Sequence, residues 1–505
     1  MASNSRTPNT GLAGLLTQAK WSRAQFALII NRIGAEAGLE LHYDQSAVSH
    51  WVAGTMPKEQ VRPLIVEAFA RKLGRPVTRT EAGLPAVRSA RFAVSCGALP
   101  ERSGPSATDA GTGAGRGAGS GGRSGSGARS SGGSGHPGPS GHSGPAGPSD
   151  VNTLEELVDM GRADMDPSRR GLIAAGLFSA AVVVPLFPDL AHAATPSAPA
   201  PGKRTVRIGA PQVQAVRTMT DRIADILDEL GGGHARPMAA AFLVNTVMPW
   251  LKAEAAESIR NDMLAAASDL VYLTGWMAMY ERAHGLGQQY YLRALELAGS
   301  AGDHVTYCRT LRGMSLQASN LGYGKRALEL ADSAAEASPK AEPRLQAFLS
   351  GQQAHAAAMV GDRRQAFSRL RQTEAALAKA DNRRDSVGGY DRTAYLFHVS
   401  HVLYEFKDLP GSIAALQQSL QVQQKHERQG RVHFLAVLAQ RQLELGHLEA
   451  SCASWWQFLD DYEHVSSARG DEHFETMRRR LKPYAKTLAV RKLRPRIEEV
   501  AALKG

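Results

Sequence analysis

The sequence predicts an all-α protein: a small N-terminal helical bundle, a disordered Gly/Ser/Pro tether and a C-terminal α-solenoid of helix pairs. Three observations predict it. Hydrophobic residues fill 43% of the 505 positions but aromatics only 6%, which favours Ala/Leu-rich helices over a β-sandwich. From about Thr205 onward apolar residues recur at the helical spacing of three and four. Between the two helical parts, Ser103 to Ser149 is almost entirely Gly, Ser, Ala and Pro. The length has room for two or three domains, read here as 10–92, 93–150 and 205–500, with an apolar segment at 168–194.

In the N-terminal unit Ser22 caps "SRAQFALIINRI", which turns Phe26, Ala27 and Ile30 inward. Asp44 caps a second helix, "QSAVSHWVAG", whose Val48 and Trp51 share one face at i, i+3 and are core. Gln45, Ser46, Ser49 and His50 are left on the outer face. Gly54 stops that helix, Pro57 starts the next segment, and "VRPLIVEAFARKLG" closes the unit at Gly74. Residues 1–100 carry twelve Lys/Arg against six Asp/Glu, and the whole chain is +11 with a pI of about 9.6. That balance suits nucleic acid or an anionic membrane surface.

The tether has little to bury and cannot offset its ordering entropy. No apolar strand precedes it and no GK[ST] follows, so it reads as a linker rather than a phosphate-binding loop. About 47 flexible residues span roughly 35–40 Å. Beyond it, "SRRGLIAAGLFSAAVVVPLFPDLAHAA" (168–194) has eighteen uncharged residues from Gly171 to Pro188. Three readings stay open: a cap helix buried against the solenoid, a membrane anchor, or a cleaved twin-arginine-type signal. Pro185 and Pro188 oppose a long helix. The expected location is cytoplasmic, the alternative membrane-anchored with the N-terminal unit in the cytoplasm. Three scattered cysteines (Cys96, Cys308, Cys452) fit a reducing compartment, and the N-terminus lacks a secretory signal.

In the C-terminal part, "VQAVRTMTDRIADILDEL" (213–230) is one helix, ended by Gly231–Gly233. "ALELA" at 294–298 returns at 327–331, and taking Ala294, Ala327, Ala366, Ala414 and Ala450 as equivalent gives five helix–turn–helix units. The intervals bracket the 34-residue tetratricopeptide unit. The longest of them holds a polar insertion, "DNRRDSVGGYDR" (381–392), which reads as a loop.

"SAVSHWVAGTMP…LIVEAFARKLGRPVTRTEAGL" resembles the phage-repressor type of helix-turn-helix, with its W-x-x-G-x-x-P after the recognition helix. That resemblance implies double-stranded DNA as partner, Gln45, Ser46, Ser49 and His50 reading base edges, and Arg23 on phosphate. The sequence departs from the pattern in "GAEAGLELHY", which is longer than the tight turn of that family. Together with "LTGWMAMYERAHGLGQQYYLRALELAGSAGD" (273–303), the N-terminal unit resembles regulators of filamentous actinobacteria. These join a helix-turn-helix-like domain to C-terminal tetratricopeptide repeats, and several are linked to sporulation and antibiotic production. The resemblance implies a DNA-binding transcriptional regulator whose repeats take a protein, peptide or small ligand. The alternative is a non-enzymatic interaction scaffold, anchored through 171–188, with the bundle as adaptor.

No HExxH, GxSxG or Walker motif occurs, so no enzymatic activity, cofactor or metal is expected. Asp460–Asp461 and Glu498–Glu499 point to different helix faces and make no catalytic dyad. His284, His398 and His401 read as packed or surface histidines, and Trp276, Tyr280, Tyr290 and Tyr291 as repeat-core aromatics. "RRRLKPYAKTLAVRKLRPR" (478–496) has nine basic residues and no acidic one, a solvated helix face or an accessory surface for an acidic partner.

Overall fold

The computed structural model describes residues 8–36, 39, 41–73, 77, 79–84, 150–165, 178–182, 184–187, 190, 207–338, 340–380 and 390–504. Among these, everything is helix and connection apart from one isolated bridge between Arg207 and Glu254. The predicted tether lies outside the described residues except for Asp150, which opens a helix.

The bundle has four α-helices: α1 (Thr10–Ala19), α2 (Arg23–Glu36), α3 (Gln45–Val52) and α4 (Arg62–Leu73), the last preceded by a 3₁₀ turn at Glu59–Val61. α2 starts at a reciprocal cap: Gln25 N–H donates to Ser22 Oγ at 3.1 Å and Ser22 N–H donates to Gln25 Oε1 at 2.9 Å. Asp44 caps α3 through Ala47 N–H at 2.9 Å, and Gly54 ends it at φ +100°, a conformation that favours glycine. Phe26, Ile30, Val48, Trp51, Leu64 and Phe69 form the centre of the core, with the rings of Phe26 and Phe69 stacked at 4.8 Å. The expected closing position, Gly74, lies outside the described residues.

Asn9 joins the two ends of this bundle. Its carbonyl caps Leu12 N–H at 2.9 Å, while its amide donates to Ala82 O at 3.1 Å and Gly83 O at 3.2 Å. Asn9→Ala removes a cap and the tie together, so it is expected to cost about 1–2 kcal/mol. Hydrogen exchange should then quicken across α1 and 79–84 and leave the rest of the chain unchanged; uniform protection in the variant would refute it.

The C-terminal array begins with α5 (Asp150–Met165), α6 (Ala210–Leu230) and α7 (Gly232–Phe242), the last running on through a π turn at Leu243–Val247. Five helix pairs follow: α8 (Glu257–Tyr280) with α9 (His284–Ala301), α10 (His304–Asn320) with α11 (Gly324–Glu336), α12 (Pro343–Met359) with α13 (Arg363–Leu377), α14 (Arg392–Glu405) with α15 (Leu409–Val422), and α16 (Arg428–Glu444) with α17 (Leu448–Tyr462). α18 (Ala468–Leu481) and α19 (Leu488–Lys504) end the chain. α5 was not anticipated, although Leu154, Leu157, Val158 and Gly161 give it an apolar stripe. It is held by Thr153 on Glu296 at 2.8 Å and by Asp164 against Arg236 at 3.2 Å.

Four of the five pairs cross through small residues twelve positions apart. Ser315 Oγ donates to Ala327 O at 2.6 Å, Ser400 Oγ to Ser412 O at 2.9 Å, and Ser451 Oγ to Ala439 O at 2.8 Å. In the first pair Gly275 and Gly287 meet so closely that a side chain on either would crowd the other's carbonyl. The structure therefore corrects the repeat register. Ala327 sits at the crossing, but Ala294 lies two turns beyond it in its helix, and Ser412 and Ser451 occupy the crossings assigned to Ala414 and Ala450. The recurrence of "ALELA" counts helix pairs without marking equivalent turns.

The array also closes on itself. Ser466 N–H donates to Leu230 O at 2.8 Å and Gly233 N–H to Ser466 O at 3.0 Å, joining the α6–α7 turn to the connection before α18. Ala468 N–H donates to Glu281 Oε2 at 3.1 Å, and Arg282 pairs with Glu472. α6 packs on α8 of the first pair and α16 of the fifth, spanning between them.

The apolar segment at 168–194 is not one helix. Its described residues 178–182 and 184–186 are turns and coil, so neither a cap helix nor a membrane helix runs unbroken from 171 to 188. Array side chains take over the backbone bonds that a helix would have made internally. Gln288 exchanges two 2.8 Å bonds with Ser179 N–H and O, Tyr307 donates to Pro185 O at 2.6 Å, and Arg326 donates to Val182 O at 2.7 Å. The described residues of the segment form a ribbon against α9, α10 and α11, with Phe178 and Leu190 in the core. No helix among the described residues is long and apolar enough to cross a membrane.

The ribbon also meets the bundle. Arg71 at the end of α4 lies over the rings of Tyr323 (4.9 Å) and Phe178 (5.6 Å) and donates to Tyr323 Oη and Phe178 O. Glu67 pairs with Arg71 at 2.7 Å, and burial there raises its carboxyl above the usual range.

Candidate functional site

The five residues singled out for DNA contact lie on the solvent side of the bundle. On an α-helix, at about 100° per residue, Gln45, Ser49, Ser46 and His50 span an arc of about 140°, opposite the buried Val48 and Trp51. Gln45, Ser46 and His50 are exposed and Ser49 is half-buried. Arg23, exposed at the start of α2, donates from Nη1 to Ser49 Oγ at 3.2 Å, so it lies along the same face. Ser49 in turn donates to Gln45 O at 2.8 Å. Its hydroxyl proton is thus engaged within α3, and it acts on this face chiefly by holding Arg23.

The longer connection between α2 and α3 is tied down at its described residues. Asn31 on α2 donates to Tyr43 O and accepts from Tyr43 N–H, both at 2.8 Å, and Leu39 N–H donates to Gly34 O at 2.8 Å. The ring of Tyr43 meets Trp51 edge-on at 4.9 Å. Asn31 therefore sets where α3 begins. Sequence reading missed it, since an Asn in a helix gives no local signal of a partner twelve residues away.

A second set of chemistry-bearing side chains lines the inner face of the array. Apart from Tyr390, which lies just before α14, they come from the first helix of each pair, with α18 completing the circuit. Trp276 and Tyr280 on α8 lie 5.2 Å apart, and Arg469 of α18 sits 4.2 Å over Tyr280. His473 touches His433 (Nε2 to Nδ1, 3.0 Å), and Phe397 lies 5.5 Å from His433 and 4.5 Å from His401. His401 lies 4.6 Å from His355, and His398 bonds Tyr390 Oη at 2.8 Å. Phe348 is 5.9 Å from Tyr390, and Arg312 bridges from Phe348 (4.3 Å) to Trp276 (5.7 Å). Trp276 and Tyr280 are thus half-buried wall residues, whereas Tyr290 and Tyr291 are wholly buried core as expected.

Burial keeps the imidazoles neutral. It pushes His355 down to about 4 and His473 to about 3, and His398, His401 and His433 well below the ordinary range, with neighbouring arginines adding to the effect. Arg441 donates to Ser412 Oγ at 2.8 Å and to Ser400 Oγ, and burial lowers it to about 10. Among the described residues no three His, Cys, Asp or Glu side chains are grouped to hold a metal. Asp460 and Asp461 also separate, Asp460 to Arg496 (3.1 Å) and Asp461 to Arg431 (2.9 Å). In the basic C-terminal run Arg496 is tied to Asp460, Glu463 and Glu499, while Lys482, Lys486, Arg491 and Lys492 are exposed.

No curated protein matches this chain. Residues 12–85, the bundle from α1 to the turn after α4, match the family described as the SP15 N-terminal domain, and the chain carries that domain ahead of a long array of paired helices.

Proposed function

We propose that the protein is a DNA-binding transcriptional regulator in which the bundle holds duplex DNA and the tetratricopeptide-like array takes a ligand or partner. The observation that carries this reading is the polar face of α3. It is a short, capped helix whose apolar side is locked into the core and whose outer arc of Gln45, Ser46 and His50 is uncovered. Arg23 is held beside that arc by its bond to Ser49, a place that suits a phosphate contact flanking the bases. The array meets the other side of the bundle, through Arg71 on α4. Control of development or secondary metabolism is the role that the resemblance to actinobacterial regulators suggests.

Retention of the full-length chain on duplex DNA as salt rises tests this. Binding should fall steeply with salt. Arg23→Ala should weaken it on every sequence and lower the salt slope by about 1, whereas Gln45→Ala with His50→Ala should remove sequence preference. An unmutated chain that is not retained at low salt ends this reading.

A further inference from the structure

We propose that the inner wall of the closed array binds a small organic anion, with Arg312 as its counter-charge between the rings of Trp276 and Phe348. This deepens the reading of the array as the ligand-binding half of the molecule. Arg312 is 6% exposed, and its guanidinium lies 4.3 Å from the centre of Phe348 and 5.7 Å from that of Trp276. Among the described residues its Nε is fully enclosed and has no hydrogen-bond acceptor. A buried guanidinium without a carboxylate is unfavourable unless something else brings the negative charge.

Its neighbours do not bring it. Arg441 donates to serine hydroxyls and Arg469 lies over the ring of Tyr280; no described carboxylate forms an ion pair with any of the three arginines. The wall is cationic and aromatic, a combination that suits a flat acid: the carboxylate meets the guanidinium and the ring stacks. Beside it lies a cavity of about 600 Å³, walled by Phe348 and Tyr390 and by four cationic side chains (Arg217, Arg309, Lys340, Arg344) against three carboxylates (Asp221, Asp269, Glu342). That is the size of a small-molecule site. Phe348 belongs to both, so cavity and guanidinium are adjacent.

Thermal unfolding of the full-length protein with 2-naphthoate, its neutral amide, inorganic phosphate and a hexaglutamate peptide tests this. Naphthoate should raise Tm by about 2–6 °C at saturating concentration and the amide should not. Arg312→Met should abolish that rise, yet its own Tm without ligand should equal or exceed the wild type, because an unpaired buried charge has gone. Arg312→Lys should keep part of the response. The proposal is overturned by an equal response to acid and amide, a response that survives in Arg312→Met, or no response to naphthoate. Stabilisation by hexaglutamate alone would make the wall a peptide groove and overturn it too. A fall of more than about 5 °C in the unliganded Arg312→Met would show the arginine to be packing material. DNA retention does not enter this assay, so failure of the DNA-binding reading leaves its result intact.

Discussion

Lowering the pH from 7 towards 5 is expected to unfold the array cooperatively. His284, His355 and His398 are 5%, 6% and 3% exposed, and all three are held neutral by burial. Desolvation takes His284 down to about 3, His355 to about 4 and His398 well below 6.5, helped by Arg469 and Arg282 for the first, Arg441 and Arg312 for the second, and Arg312 and His355 for the third. In the unfolded chain each titrates near 6.5. As the pH falls below that value the unfolded state takes up protons that the folded state refuses, so stability present above 6.5 is lost progressively down to the folded pKa. Each such histidine loses up to about 1.4 kcal/mol per pH unit. These three together lose about 4 kcal/mol per unit, against a typical domain stability of about 5–15 kcal/mol. His401, His433 and His473 add to the loss, discounted because they are only half-buried. The raised carboxyls of Glu281, Asp269 and Asp461 oppose it, since their protonation favours the folded state, but they are fewer. Helical circular dichroism against temperature at pH 7, 6 and 5 should show Tm falling ever more steeply, and His355→Gln should flatten the fall. A constant Tm across this range would mean that these imidazoles are hydrated in the folded protein.

The histidines illustrate which parts of the structure can be read from sequence. A helical period is local, and it reveals where Phe26, Ile30, Val48 and Trp51 point before any fold is known. The caps are equally local: Ser22 with Gln25 and Asp44 with Ala47 lie three residues apart, and both form. The inner wall is not local. It joins Trp276, Arg312, His355 and His433, which come from different pairs, so neither their contacts nor the depressed imidazoles follow from a helical wheel. The same limit explains the register error. "ALELA" is a sound helix word, but which of its turns meets the partner helix depends on where Gly275 and Gly287 let two backbones approach.

On the solvent side of the bundle the outer arc of α3 follows from its period, whereas its orientation depends on Asn31 clamping Tyr43. The 168–194 segment failed for a related reason. Apolar composition predicts burial but not conformation, and here Gln288, Tyr307 and Arg326 supply the hydrogen bonds that make an irregular ribbon tolerable.

Glu281→Gln is expected to stabilise the array at neutral and alkaline pH by up to about 3 kcal/mol. Glu281 follows the last turn of α8, where the array closes, and accepts Ala468 N–H through Oε2, while Oε1 is buried with no partner among the described residues. Burial raises its carboxyl to about 7, and Asp471 pushes the same way. The Ala468 N–H, Arg236 and Ser467 pull it down, and Arg282 beside it is already paired with Glu472. The folded state therefore holds a proton between about pH 4.5 and 7 that the unfolded state has released. The penalty for ionised Glu281 is absent below 4.5, grows as the pH rises and is complete above about 7. Glutamine keeps an oxygen for Ala468 N–H and carries no charge, so it escapes the penalty without opening the closure. The variant's advantage should thus be larger at pH 8 than at pH 6, by about 1 kcal/mol, because the last part of the penalty falls in that interval. Chemical denaturation of both proteins at the two pH values measures it. A variant less stable than the wild type at pH 8 would mean that the ionised carboxylate gains more from Arg236 than its burial costs. The closure would then be held by charge rather than by the neutral hydrogen bond to Ala468.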